Sequence, residues 1–171
     1  RIADSVEIPI MIYNVPGRCG TDILSTTVAK LADHQNIVGL KEATGDLKRT
    51  SELVSMCPAE FVVFSGDDVN TLPILSVGGK GVISVVANIA PDSIAELCGV
   101  FKAGKIESAR KLHYETMPLA VDLFIETNPV PVKTALMLMQ KLNGKLRLPL
   151  VPMEPMNLEQ LRCTLKATNL I

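Results

Sequence analysis

Four apolar runs recur along the first part of the chain with turn residues between them: Ile8 to Val15, Ile37 to Ala43, Phe61 to Ser65 and Gly81 to Ala87. Each is short and rich in valine or isoleucine, which suits a pleated, half-buried strand. The segments between them follow the helical period instead. Thr21 is placed to cap a helix running to about His34, with Ile23, Leu24, Val28 and Leu31 on one side. Asp46 is placed to cap the next, to about Cys57, with Leu47, Leu53 and Val54 facing inward. Asp67 or Asp68 starts a third near Val69 to Val77, closed by Gly78 and Gly79, and Pro91 suits the first turn of a fourth that ends near Gly104.

Regular alternation of strand and helix predicts an α/β chain of parallel strands joined by crossover helices. About four such units make half of a TIM (β/α)8 barrel or a small doubly wound sheet. Gly-rich nucleotide loops are missing, because Gly78-Gly79-Lys80-Gly81 precedes a strand rather than following one, and the half-barrel is therefore expected. After Gly104 the pattern is helical only: Lys105 to about Ile125, Pro129 to about Leu142, and Asn157 to about Thr168, with Pro149, Pro152 and Pro155 in an extended connection. The expected organisation is a half-barrel over residues 1–103 and a C-terminal helical extension over 104–171. The chain opens at Arg1 without a methionine, and Arg1 to Val6 reads as the last turn of a helix, so the half-barrel is expected to be the C-terminal one of a longer protein.

Composition narrows the partners. The 171 residues are 47% hydrophobic, enough for a core, and a formal net charge of -1 gives no reason to expect nucleic acid or an anionic membrane. No apolar run approaches a membrane span, and a cytoplasmic setting is expected. Cys19, Cys57, Cys98 and Cys163 lie far apart with no C-x-x-C spacing, and neither His34 nor His113 clusters with them. Free thiols are expected rather than a metal site or a disulfide framework.

The candidate chemistry centres on Ile37 to Gly45, where Lys41 interrupts an apolar strand-like run. With side chains alternating by two, Val38 and Leu40 share one face and Gly39 and Lys41 the other. Such a lysine either snorkels to solvent at the strand end or sits where desolvation favours a neutral amine able to attack a carbonyl. In parallel barrels the reactive side chains project from the carboxyl ends of strands. That rule puts Tyr13, which shares a face with Met11, beside Lys41, as a core tyrosine or as a proton relay for imine formation. Arg18, past the turn at Pro16 and Gly17, is either a solvated loop residue or a bidentate holder for a carboxylate. Ser65, Gly66 and the backbone around Ile83 fall at later strand ends, where they can line the same pocket. Glu42 faces away from Lys41 by parity, and Asp67 and Asp68 read as helix caps. Asn128 to Lys133 reads as a rigid helix start with Asn128 as cap.

Four ordered motifs, Tyr13-Asn14-Val15-Pro16-Gly17-Arg18, Gly39-Leu40-Lys41-Glu42-Ala43-Thr44-Gly45-Asp46, Ser65-Gly66-Asp67-Asp68 and Asn128-Pro129-Val130-Pro131-Val132-Lys133, resemble the C-terminal part of the dihydrodipicolinate synthase family. The resemblance runs from Ile8 to the end of the chain. It implies a class I aldolase-type lyase of lysine (diaminopimelate) biosynthesis that condenses pyruvate with aspartate semialdehyde and needs no metal or organic cofactor. It implies that Lys41 forms the Schiff base, that Tyr13 shuttles protons, and that Arg18 binds the semialdehyde carboxylate. Ile83 would contribute its backbone carbonyl, and Gly66 would border the pyruvate pocket. The family's Gly-rich loop with paired threonines, and a tyrosine reaching in from a neighbouring subunit, are not in this chain. A homo-oligomer, a tetramer for full-length members, is the implied assembly. Two rivals stand beside this reading: an N-acetylneuraminate lyase-like pyruvate aldolase, distinguished by what Arg18 would bind, and a catalytically silent half-barrel.

Overall fold

The computed structural model describes all of residues 1–171, and the chain falls into two compact units, Arg1–Ile83 and Ser84–Ile171. The division follows packing, whereas the boundary expected at 103/104 counts strand-helix units.

The first unit is a four-stranded, all-parallel sheet in the order β1-β2-β3-β4. After a short 3-10 turn at Ala3–Ser5 come β1 (Ile10–Asn14), α1 (Pro16–Cys19), α2 (Ser25–Ala32), β2 (Ile37–Glu42), α3 (Leu47–Met56), β3 (Val62–Ser65), a 3-10 turn (Asp68–Asn70), α4 (Thr71–Ser76) and β4 (Gly81–Val82). Sequential strands are neighbours and every crossover carries a helix, as parallel pairing requires. The core is on the outer face of the sheet, where Val28 of α2 and Leu53 of α3 close over Leu40 and Val63 together with Phe61, with Ile12, Ile23 and Ile37 packed at the margin. Each such burial stabilises by about 1.5–3 kcal/mol relative to exposure.

Several local expectations change here. Thr21 does not cap a helix, and α2 starts only at Ser25, behind Leu24 with no side-chain cap. The cause lies upstream in β1. Asn14 donates to the Asp22 carboxylate (2.9 Å) and accepts from the Ile23 N–H (3.1 Å), which holds this segment extended until the tether ends. Asp46 does cap α3, accepting from the Arg49 N–H at 3.1 Å. On that helix Leu53 is buried, but Leu47 and Val54 are each 38% exposed, because Arg49 and Thr50 occupy the inward positions instead. Asp67 caps the turn before α4, and the chain leaves α4 through Gly78 at φ 106°, a conformation that favours glycine. The last strand is two residues rather than the seven of Gly81 to Ala87.

The second unit is helical: a 3-10 turn (Val86–Asn88), α5 (Pro91–Lys102), α6 (Ile106–Asp122), α7 (Val130–Leu138) and α8 (Pro155–Ala167). The Ser84 hydroxyl accepts from the Ala87 N–H at 2.8 Å, which bends the apolar stretch after β4 into the turn. Pro91 is the first residue of α5, where its missing N–H costs nothing, and Gly104 ends the segment at φ 75°. Leu97, Ala109, Leu119, Leu123, Ala135, Leu161 and Leu165 form the interior. Buried polar groups tie α6 to α8: the Thr164 hydroxyl donates to the Asp122 carboxylate, and Gln160 donates to the same oxygen at 3.2 Å. Burial on α6 pushes His113 below the ordinary histidine range. Asn128 does not cap α7. It precedes Pro129 through a cis peptide bond, Pro129 occupies the cap position, and the Asn128 Oδ1 is buried without a hydrogen-bond partner. No helix is long and apolar enough to cross a membrane.

Candidate active site

The carboxyl ends of the four strands are laddered together by backbone bonds that continue past the strands. The Ala43 N–H donates to the Asn14 carbonyl (3.0 Å), Gly66 to Glu42 (2.7 Å) and Ile83 to Ser65 (2.9 Å). Candidates far apart in sequence therefore stand in a row along one edge of the sheet.

Within that row the register sets Tyr13 opposite Lys41 and Lys41 opposite Phe64. Paired residues of parallel strands share a face, so Tyr13 and Phe64 flank Lys41 on the strands to either side. The ammonium nitrogen lies 4.1 Å from the centre of the Tyr13 ring. Lys41 is half-buried and Tyr13 is 45% exposed, which leaves the amine and the phenol open to a small molecule. Gly39, one step below Lys41 on that face, is required by close approach. A Cβ there would fall 2.5 Å from the Val62 carbonyl oxygen and 3.3 Å from the Met11 methyl. Gly66 is under the same constraint at the edge, since a Cβ would fall 2.7 Å from that of Ala43.

Arg18 sits in α1, the single turn that Pro16 begins and Gly20, at φ 68°, ends. Its side chain is exposed and makes no ion pair, so the guanidinium faces solvent five residues beyond Tyr13. Ile83 is 41% exposed immediately after β4. The Ser65 hydroxyl is used locally, donating to the Asp67 carbonyl. Asp67 holds the Val69 N–H and the Asn70 amide.

Parity correctly turns Glu42 away from Lys41, but reading the sequence left it without a partner. It is wholly buried and accepts from Arg49 Nε at 2.8 Å, from the Thr44 N–H at 2.8 Å and from Asn14 Nδ2 at 3.1 and 3.2 Å. Phe64 was also missed, although the alternation Val62, Phe64 would have aimed it at the lysine face. The cysteines are free, and burial pushes the thiols of Cys57 and Cys98 up, with the Asp33 charge adding to the effect at Cys57. Those two are poor nucleophiles at neutral pH. No group of three or more His, Cys, Asp or Glu side chains is arranged to hold a metal ion.

A parallel α/β sheet with a half-buried lysine set against a tyrosine at its carboxyl edge defines the class of protein. The chain belongs to the dihydrodipicolinate synthetase family, whose model matches residues 1–168. It is 53% identical over 171 residues to a 4-hydroxy-tetrahydrodipicolinate synthase of Thermodesulfovibrio yellowstonii, covering 100% of this chain and 59% of that protein. Among solved structures it is similar to a monomeric dihydrodipicolinate synthase variant (TM-score 0.96, 43% identity, 99% of this chain and 58% of that one). It is equally similar to the dihydrodipicolinate synthase from Acinetobacter baumannii complexed with pyruvate (TM-score 0.96, 42% identity, 99% and 58%). The chain thus spans about 59% of the length of the curated relatives it matches.

Proposed function

We propose that this chain is the C-terminal half of a (β/α)8 enzyme that condenses pyruvate with aspartate semialdehyde through a Schiff base on Lys41, giving 4-hydroxy-tetrahydrodipicolinate. The observation that carries the reading is the placement of the Lys41 amine 4.1 Å over the Tyr13 ring, at the carboxyl edge of a parallel sheet and beside Phe64. Two further features support the half-barrel: β1 and β4 each pair on one side only, and four strand-helix units give way to helices alone.

The unprotonated Lys41 amine attacks the pyruvate carbonyl carbon, the carbinolamine loses water, and a protonated imine remains. Its electron demand lets the adjacent methyl give up a proton to form an enamine. The enamine carbon then attacks the semialdehyde carbonyl, whose oxygen takes up a proton. Attack of the new chain's amino group on the imine carbon then closes the ring and returns the lysine. Tyr13, whose ring lies against the amine, carries protons in these steps through its hydroxyl. Arg18 pairs with the semialdehyde carboxylate at the mouth, the Ile83 carbonyl and the Gly66 backbone border the pyruvate pocket, and a homo-oligomer of the full-length protein completes the site. Four unpaired thiols fit a reducing cytoplasm.

Arg18 separates this reading from an N-acetylneuraminate lyase-like aldolase, because a small acidic aldehyde uses a cation where a sugar uses hydroxyl-binding groups. The open sheet edges favour one second reading, a half-barrel that is silent until joined to its other half. Incubation with pyruvate and borohydride, followed by mass mapping, tests both. An adduct on Lys41 of this chain supports imine competence. An adduct only in the full-length protein assigns silence to the isolated half, and no adduct in either removes the Schiff-base reading.

A further inference from the structure

Directly behind the Lys41 and Tyr13 pair lies a buried charge that the proposed chemistry does not use. Asn14 follows Tyr13 and Glu42 follows Lys41, and the register sets these two opposite each other as well. Their side chains meet on the outer face, where the Asn14 amide donates to both Glu42 oxygens (3.1 and 3.2 Å). The carboxylate also takes the Thr44 N–H, in the loop after β2, and Arg49 Nε, on α3. Asn14 and Arg49 carry the network onward to the segment before α2: Asn14 to Asp22 and the Ile23 N–H, Arg49 to the Ile23 carbonyl and, at 3.7 Å, to Asp22. One buried carboxylate therefore joins four pieces of chain at the level of the amine and the phenol.

Stability alone does not account for a charge pair there. Apolar residues of similar volume in place of a buried ion pair are often neutral or stabilising. A carboxylate with three directional partners supplies what apolar packing does not, a single permitted height and rotation of β2 against β1. Lys41 and Tyr13 need that on their own face, where they are open to solvent and held by one contact of the cation with the ring. We infer that Glu42 is a positioning residue, which through Asn14 and Arg49 fixes the carboxyl ends of β1 and β2 so that the Lys41 amine and the Tyr13 phenol meet a substrate carbonyl in reactive geometry. This rests on the Schiff-base reading above. Misplacing reacting groups by about 1 Å costs about a hundredfold in rate, so a small slip at this hub is expressed as lost chemistry before lost fold.

The test uses the full-length enzyme and measures the rate of pyruvate imine formation on Lys41, trapped with borohydride and counted per folded molecule, alongside kcat, KM and thermal midpoint. Glu42→Gln is expected to slow trapping by about tenfold or more, with kcat falling further than the pyruvate KM rises. Glu42→Gln leaves the Arg49 guanidinium buried without its carboxylate and can fail to fold. The double variant Glu42→Gln, Arg49→Met removes both charges, regains the fold and is expected to stay slow. Arg49→Lys, which keeps one donor, is expected to recover part of the rate lost in Arg49→Met. A double variant that traps pyruvate at the wild-type rate overturns the inference, as does a set of variants that lose thermal midpoint with the rate per folded molecule unchanged. If the wild type itself traps no pyruvate, the Schiff-base reading has failed. The inference is then decided by acetic anhydride labelling of Lys41 relative to the exposed Lys48 in the same variants. A changed ratio supports the tether, and an unchanged ratio overturns it.

Discussion

On the outer face of the β1 and β2 ends, Asn14 and Glu42 are 1% and 0% exposed, and their polar groups are bonded within the protein. On the inner face, one residue away on each strand, Tyr13 is 45% exposed and the Lys41 ammonium has an aromatic ring for company. The same two strands thus carry a saturated polar cluster on one side and an unsaturated pair on the other. A saturated cluster in low dielectric is rigid and chemically quiet. A cation over an exposed ring gains only about 0.5–1 kcal/mol, little enough to be given up to a substrate. Rigidity and reactivity are placed back to back, so substitutions on the two faces should fail in different ways.

The largest expected effect is on the inner face. Lys41→Ala removes the proposed nucleophile and is expected to abolish condensation by the full-length protein, while the thermal midpoint stays near wild type because the side chain supports nothing behind it. Turnover retained by this variant would remove Lys41 from the chemistry and erase the contrast between the faces. Next is Tyr13→Phe, which keeps the ring against the amine and deletes only the hydroxyl. Loss of a positioned acid-base group costs about 10²–10⁴-fold, so kcat should fall within that range with the fold unchanged. A variant as active as wild type would make Tyr13 a packing residue. Third is Arg18→Ala. Hydrogen bonds to charged groups are worth about 1.5–3 kcal/mol, so use of aspartate semialdehyde, measured as kcat/KM, should drop by about ten- to a hundredfold with pyruvate trapping largely kept. Loss of trapping alone would contradict that division of labour.

The inner face was legible in the sequence because it obeys short rules. Alternation by two places Lys41 on one face and Glu42 on the other, and the strand-end rule picks Tyr13, Gly66 and Ile83. The Asp46 cap and the Pro91 start were legible for the same reason, since cap, helix and fixed φ lie within a few residues. The outer face was not. Arg49 shares a helix face with Leu53, but nothing nearby announces that it pairs with a carboxylate seven residues back. Thr21 has the chemistry of a cap, but Asn14 intervenes from β1 and delays the helix to Ser25. The Gly81 to Ala87 run is rich in valine and isoleucine like a strand, yet the Ser84 hydroxyl takes the Ala87 N–H and the strand ends at Val82. For Arg49 and Thr21 a side chain from another element outcompetes the local preference, and for the last run a hydroxyl within the run itself does so.

The smallest effect sharpens the comparison most, because it falls on the seam where the two faces share a backbone. Gly66 follows β3, and its N–H donates to the Glu42 carbonyl at 2.7 Å, so the residue that carries the outer carboxylate also anchors the end of the next strand. In Gly66→Ala the added methyl would stand 2.7 Å from the Ala43 Cβ, 3.1 Å from the Glu42 carbonyl oxygen and 3.2 Å from the Ala43 Cα. These are backbone atoms or a Cβ fixed to it, with no flexible side-chain end to swing aside, so the strand ends must part. Overpacking of this kind costs about 1–3 kcal/mol, read as a lower denaturant midpoint at unchanged slope. Adding Ala43→Gly removes the nearest of those contacts and should return much of the loss, a coupling that a double-mutant cycle isolates. If the pair recovers stability while pyruvate trapping stays slow, the inner face depends on the spacing of the strand ends themselves. Full recovery of both would show that the saturated face alone sets the geometry of the reactive one.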